Sequence, residues 1–129
     1  MSDIVLDASA LLAMLKDEPG GAKVAGAIAS ARMSSVNFAE VVSHFIHNGM
    51  PATEVDDMLR PLPIVIAQAD ANLARLAGRL RSATAGAGLS LGDRFCLAQA
   101  MHDGLPAWTA DKQWRSIADK IDGEIIVIR

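Results

Sequence analysis

Near each end of the chain lies a run of successive apolar residues, Ile4-Val5-Leu6 at one end and Ile125-Ile126-Val127-Ile128 at the other. Runs without alternation suit strands covered on both faces, so they call for a parallel sheet with helices on either side rather than a sheet with one wet face. Between them, strand and helix patterns take turns. Strands are expected at residues 4–7, 32–36, 62–66, 106–109 and 124–128. Helical spacing covers residues 9–15, 22–29, 37–47, 53–59, 70–83, 91–102 and 113–120, with Gly49, Pro51, Gly104 and Pro106 as stops. The expectation is an α/β fold, a single-domain α/β/α sandwich over residues 1–129 around a central, mostly parallel sheet. At 129 residues and 51% hydrophobic, the chain is long enough for one such core and too short for two.

The single cysteine, Cys96, excludes an internal disulfide framework and predicts a reducing compartment. Met1-Ser2-Asp3 lacks the basic flank and apolar core of a signal peptide, and no apolar stretch reaches the roughly 20 residues of a membrane span. A soluble, cytoplasmic protein without membrane association is expected. Net charge is −3, which at first argues against a nucleic-acid partner. The glycine-bearing stretch at residues 84–92 follows a helix and ends in no Lys-Ser or Lys-Thr pair, so it reads as a flexible connection rather than a phosphate loop.

Four acids stand at element ends or on helix faces. Asp7 lies where the first strand hands over to a helix, a place where a carboxylate can cap free amide groups, as Ser9 also can. Asp111 stands in the same relation to the strand ending at Thr109. The carboxyl ends of parallel strands line the edge where ligands bind, so Asp7 and Asp111 meet there if their strands are neighbours. Asp93 shares a helical stripe with Cys96, Leu97 and Ala100, a costly position for a carboxylate, although Ser90 and Asp93 also have capping-box spacing. Glu40 falls with Asn37, His44 and His47 opposite the apolar face of Phe38, Val41, Val42, Phe45 and Ile46, where solvation is the plainer reading. The histidines lack the spacing of a zinc site.

Taken in order, the segments VLDASALLA, NFAEVV, LSLGDRFCLAQA and TADKQW resemble the PIN domain family of metal-dependent ribonucleases, most of all the toxin half of VapBC-type bacterial toxin–antitoxin pairs. The resemblance spans essentially the whole chain. It implies that Asp7, Glu40, Asp93 and Asp111 are catalytic and hold Mg2+, for which Mn2+ can substitute, that Ser9, Asn37 and Thr109 support them, and that RNA is cut. It also implies a small protein antitoxin as partner and a homodimer. Arg94, next to Asp93, is assigned a phosphate contact. Phe95, Gln99 and Lys112 depart from the family pattern, which expects small or apolar residues at the first two and often Arg at the third. These departures bear on packing and substrate contacts, not on the acids.

Two carboxylates about 4 Å apart repel by about 1 kcal/mol in water and about 4 at an effective dielectric near 20, so four gathered acids need cations. An all-oxygen donor set suits magnesium, which keeps several waters and accepts substrate phosphate. Without metal, burial and like charge should raise the site's pKa values. Setting the four acids aside leaves 11 acidic residues against 12 basic, which softens the charge objection. Arg75 and Arg79 share the polar side of one helix and read as a solvated basic face, with RNA backbone tracking as the alternative. Met50, Met58 and Leu59 are expected on the dimer surface. Two rivals remain. An aspartyl phosphotransferase needs a second acid where Ser9 stands. A non-catalytic α/β binding module would use the acids as helix caps and surface charges.

Overall fold

A computed structural model of the chain describes residues 2–129. Strands β1 (Ile4–Leu6), β2 (Ala31–Ser34), β3 (Val65–Ala67), β4 (Ala107–Thr109) and β5 (Ile125–Val127) form one sheet in the order β3-β2-β1-β4-β5. Every neighbouring pair is parallel. Side chains of an extended strand alternate between faces, so the apolar run of β1 feeds two cores. Ile4 and Leu6 pack with Leu11, Met33, Val41 and Val55, against helices α1 (Ala8–Leu15), α2 (Gly21–Ala27), α3 (Ser35–His47) and α4 (Ala52–Leu59). Val5 packs on the opposite face with Cys96, Leu97, Trp114 and Ile117, against α5 (Ala71–Arg79), α6 (Arg81–Thr84) and α7 (Leu91–Asp103). Leu6, Leu11 and Met33 are fully buried, each worth about 1.5–3 kcal/mol of transfer free energy.

The strand order reverses direction between β1 and β4. There the connections leave the sheet toward opposite sides, opening a crevice at the strands' carboxyl ends. Asp7 and Thr109 stand on either side of it, at the ends of these two strands.

Local differences from the sequence expectation have physical causes. The third strand covers Val65–Ala67 rather than 62–66, because Pro61 and Pro63 lack amide donors and Leu62 and Ile64 pack down on the core instead. The helix expected at 70–83 is two, broken at Leu80, and residues 112–120 wind as 3-10 turns rather than α-helix. The stretch at 84–92 is not a loose connection: Thr84 is buried and donates to the Leu80 carbonyl at 2.8 Å, Leu89 is buried, and Leu91 and Gly92 already belong to α7. Gln99 is buried too, and donates to Asp103 Oδ2 at 2.8 Å, which Arg32 of β2 meets at 3.0 Å.

The expected dimer surface also changes. Leu59 is buried in the core and Met50 and Met58 pack against it. The large apolar side chains left exposed are Ile46, Val65, Ile66 and Leu91. Among the described residues, no helix is long and apolar enough to cross a membrane.

Candidate active site

Asp7 occupies the residue before α1 but caps nothing. Its side chain makes no cap hydrogen bond, and only 3% of the residue is exposed. The carboxylate is held from elsewhere: Ser9 Oγ donates to Asp7 Oδ2 at 2.6 Å, and Thr109 Oγ1 donates to the same oxygen at 3.0 Å from across the β1–β4 crevice. Ser9 in turn accepts from the Ala110 amide at 3.0 Å. Ser9 and Thr109 thus both hydrogen-bond Asp7, and the capping explanation for its side chain fails.

Glu40 and Asn37 stand in the first two turns of α3, which Ser34 caps by accepting from the Val36 amide at 3.2 Å. Asn37 is wholly buried rather than solvated. Its Nδ2 donates both to Glu40 Oε1 and to the Gly92 carbonyl, each at 2.8 Å, so it ties α3 to the first turn of α7. Gly92 was not singled out by sequence because its neighbour lies far away in the chain. A Cβ built there would stand 2.6 Å from Glu40 Cδ and Oε1, so the glycine makes the room in which the Glu40 carboxylate sits.

Asp93 is half-buried at the third position of α7. Both halves of the capping box are made: the Asp93 amide donates to Ser90 Oγ at 3.2 Å and the Ser90 amide donates to Asp93 Oδ2 at 2.8 Å. Capping and proximity to the other acids are thus not exclusive, since Oδ1 takes no part in the box. Asp111 is brought to the same edge by β4, and its amide donates to Thr109 Oγ1 at 3.1 Å, but its Oδ1 accepts from the Gln113 amide at 2.9 Å. It acts as a cap.

Arg94 corrects the expected phosphate contact. One residue along an α-helix rotates by about 100°, which carries it away from Asp93's face. Its guanidinium is buried against α5, donating to the Ala77 carbonyl at 3.2 Å.

The electrostatics join three of the four acids. Burial is the main cause that pushes the Asp7 carboxyl up to about 6; the Ser9 and Thr109 hydrogen bonds oppose it, and the charges of Asp93 and Glu40 reinforce it. Glu40 is raised as well, by desolvation first and by Asp93, against the hydrogen bond from Asn37. Cys96 lies beneath the group: burial, then the charges of Asp7, Asp93 and Glu40, push its thiol well above the usual range, so it is not a thiolate nucleophile. Among the described residues, no three His, Cys, Asp or Glu side chains stand close enough to enclose a cation alone. The donor set still fits a hard cation in an open site. It offers mutually repelling carboxylates, and Asn37 Oδ1 beside them is buried without a partner. Magnesium is usually held by one or two carboxylates, with water and phosphate completing its shell.

Among curated proteins, none matches the sequence. Solved structures do match in fold. They include a DNA-bound VapBC from Salmonella typhimurium (TM-score 0.71, 16% identity, 100% of each chain) and FitAcB from Neisseria gonorrhoeae (0.71, 19%, 97% of each). A third is VapC20 of Mycobacterium tuberculosis, described as a sarcin-ricin loop cleaving toxin (0.71, 14%, 88% of this chain and 94% of that one). The sequence profile of the PIN domain matches residues 4–120, nearly the whole sheet and its helices, and the chain belongs to the PIN domain family.

Proposed function

We propose that the chain is a divalent-metal-dependent endoribonuclease acting as the toxin of a toxin–antitoxin pair. The observation that carries this reading is Asp7: a buried carboxylate at the sheet's switch point, caps no helix, and feels the charges of Glu40 and Asp93. Asp7 and Asp93 would hold Mg2+ or Mn2+, with Glu40 at the rim and Asp111 orienting the outer side of the site. The cation supplies neutralising charge to the phosphate and lowers the pKa of nearby water. Ser9 and Thr109 fix the Asp7 carboxylate through one oxygen, leaving the other for coordination. Asn37 fixes Glu40 while its own Oδ1 stays available. No side chain acts as a covalent nucleophile, in keeping with the neutral Cys96 thiol and with Ser9 where a phosphotransferase would need its second acid.

Asp93 and Asp111 also make capping bonds, as the non-catalytic reading expects, but each through one carboxylate oxygen, so the other stays available. Asp7 is buried and makes no capping bond, whereas Glu40 makes none but is exposed. A further structure of similar fold, from Klebsiella pneumoniae, is a toxin–antitoxin complex by description, and by extension this chain's partner is a small protein antitoxin that covers the acidic crevice. A homodimer through the β3 edge is supported by the exposed Val65 and Ile66 and by a cleft of about 270 Å³ beside them, lined by Phe38, Leu62 and Ile66. On this reading the action is in the cytoplasm, a compartment that suits the free, buried Cys96 thiol.

The test is incubation of RNA with the purified protein in Mg2+, Mn2+ or EDTA. Fragments with 5′ phosphate ends that form with either metal and not with EDTA are expected; cleavage that survives EDTA contradicts the proposal.

A further inference from the structure

Two open clefts flank the acids, and they differ in charge. One, of about 600 Å³, runs along α3 and is lined by Val36, Ala39, Glu40, Ser43, His44 and His47, with no permanent cation. The other, of about 420 Å³, is lined by Ser9, Ala110, Asp111, Lys112 and Arg129. Ser9 is the wall it shares with the Asp7 site, since the same hydroxyl bonds Asp7 Oδ2 at 2.6 Å. A group lodged there is one side chain away from Asp7.

We infer that this second cleft is a phosphate subsite, in which Lys112 and Arg129 hold the RNA phosphate next to the one being cut; the inference rests on the nuclease reading. Lys112 is exposed and makes no ion pair among the described residues. Arg129 is anchored at one nitrogen only, Nη1, which lies 3.5 Å from the Pro19 carbonyl and 3.6 Å from Glu18 Oε1, so a guanidinium with five donors keeps others for a ligand. The one acid in the wall, Asp111, already has Oδ1 engaged by the Gln113 amide. Among the described residues, Lys112 is the free cation of this wall, and Arg129, though paired with Glu18, keeps donors for a phosphodiester that otherwise meets the acids of the site. At the α3 cleft, Lys16 Nζ stands 3.3 Å from His44 Nε2 and 3.6 Å from Glu18 Oε2, so its charge is already engaged.

The experiment compares wild type with Lys112→Gln, Arg129→Gln and the double variant. Binding of a short fluorescein-labelled single-stranded RNA is read by anisotropy in EDTA over a range of salt, and cleavage of the same RNA is read separately in Mg2+. Each single variant is expected to bind severalfold more weakly. The double variant should lower the slope of log affinity against log salt by about 1.4, the value for two lost contacts on a single strand. Its cleavage rate at saturating protein should stay within about twofold of wild type. Arg81→Gln, at an exposed arginine of α6, should change nothing. Wild-type affinity and slope in the double variant overturn the subsite, as does a fall in saturated rate with affinity intact. RNA binding that shows the predicted slope change without any cleavage refutes the nuclease reading and leaves Lys112 and Arg129 as an RNA phosphate contact with no scissile neighbour; no RNA binding by wild type overturns both.

Discussion

Gly92→Ala adds one methyl group at the point where α7 passes under Glu40. The new Cβ would stand 2.6 Å from Glu40 Oε1, about 0.8 Å inside the 3.4 Å at which ordinary contact begins, and the backbone of α7 cannot give way cheaply. The carboxylate retreats instead and weakens its 2.8 Å bond from Asn37, a charge-assisted bond worth about 1.5–3 kcal/mol. Replacing glycine in a helix returns up to about 1 kcal/mol, so the net cost to folding should be about 0.5–2 kcal/mol, a few degrees in Tm. Catalysis should suffer more, because a displacement near 1 Å of a positioning group costs about 100-fold. The assay pairs thermal melting with RNA cleavage in four proteins: wild type, Gly92→Ala, Glu40→Asp and the double variant. Shortening Glu40 by one methylene removes the clash, so Gly92→Ala should cost little in the Glu40→Asp background. Wild-type cleavage by Gly92→Ala, or the same loss in both backgrounds, would refute the reasoning.

Three further outcomes follow from the same geometry. Asp7 has a folded pKa of about 6 against 3.8, so metal-free stability should be greatest below about 3.8 and fall as pH rises through 6, by about 3 kcal/mol in all. Asp7→Asn should therefore melt higher than wild type in EDTA at pH 7.5, by about 1–3 kcal/mol after any weakening of the Ser9 and Thr109 bonds; a wild-type melting temperature flat from pH 4 to 7 contradicts this. Arg94→Met breaks the buried bond to the Ala77 carbonyl and should cost about 1–3 kcal/mol on denaturant unfolding with RNA affinity unchanged, whereas weakened RNA binding in a stably folded variant would return Arg94 to the site. Ile66→Glu, at the exposed β3 edge, should turn a dimer into a monomer by light scattering while leaving the circular dichroism spectrum intact; a variant that stays dimeric moves the interface elsewhere.

The parallel sheet was legible because Ile4-Val5-Leu6 and Ile125-Ile126-Val127 run apolar without alternation, and the neighbouring of β1 and β4 puts Thr109 within hydrogen-bonding distance of Asp7. What sequence hid depends on contacts between distant residues. Gly92 reads locally as loop punctuation, yet its lack of a side chain matters only for Glu40, which no spacing reveals. Asn37 reads as a solvated helix position until α7 is seen to cover it. Arg94 adjoins an acid in sequence and faces another helix in space, and Pro61 and Pro63 shift a strand whose apolar residues looked continuous. At Asp93 the capping bond takes Oδ2 and leaves Oδ1 outside the box, so capping does not exclude a second role there, which no pattern of residue types could show.

The central claim is that the Asp7 carboxylate makes this chain a nuclease. Its most direct test is the initial rate of single-stranded RNA cleavage in Mg2+ by wild type and by Asp7→Asn, prepared identically and shown to be folded by the same melting criterion. The account predicts metal-dependent cleavage by wild type and a loss of at least about 100-fold in the variant. Equal rates from the two proteins would contradict it.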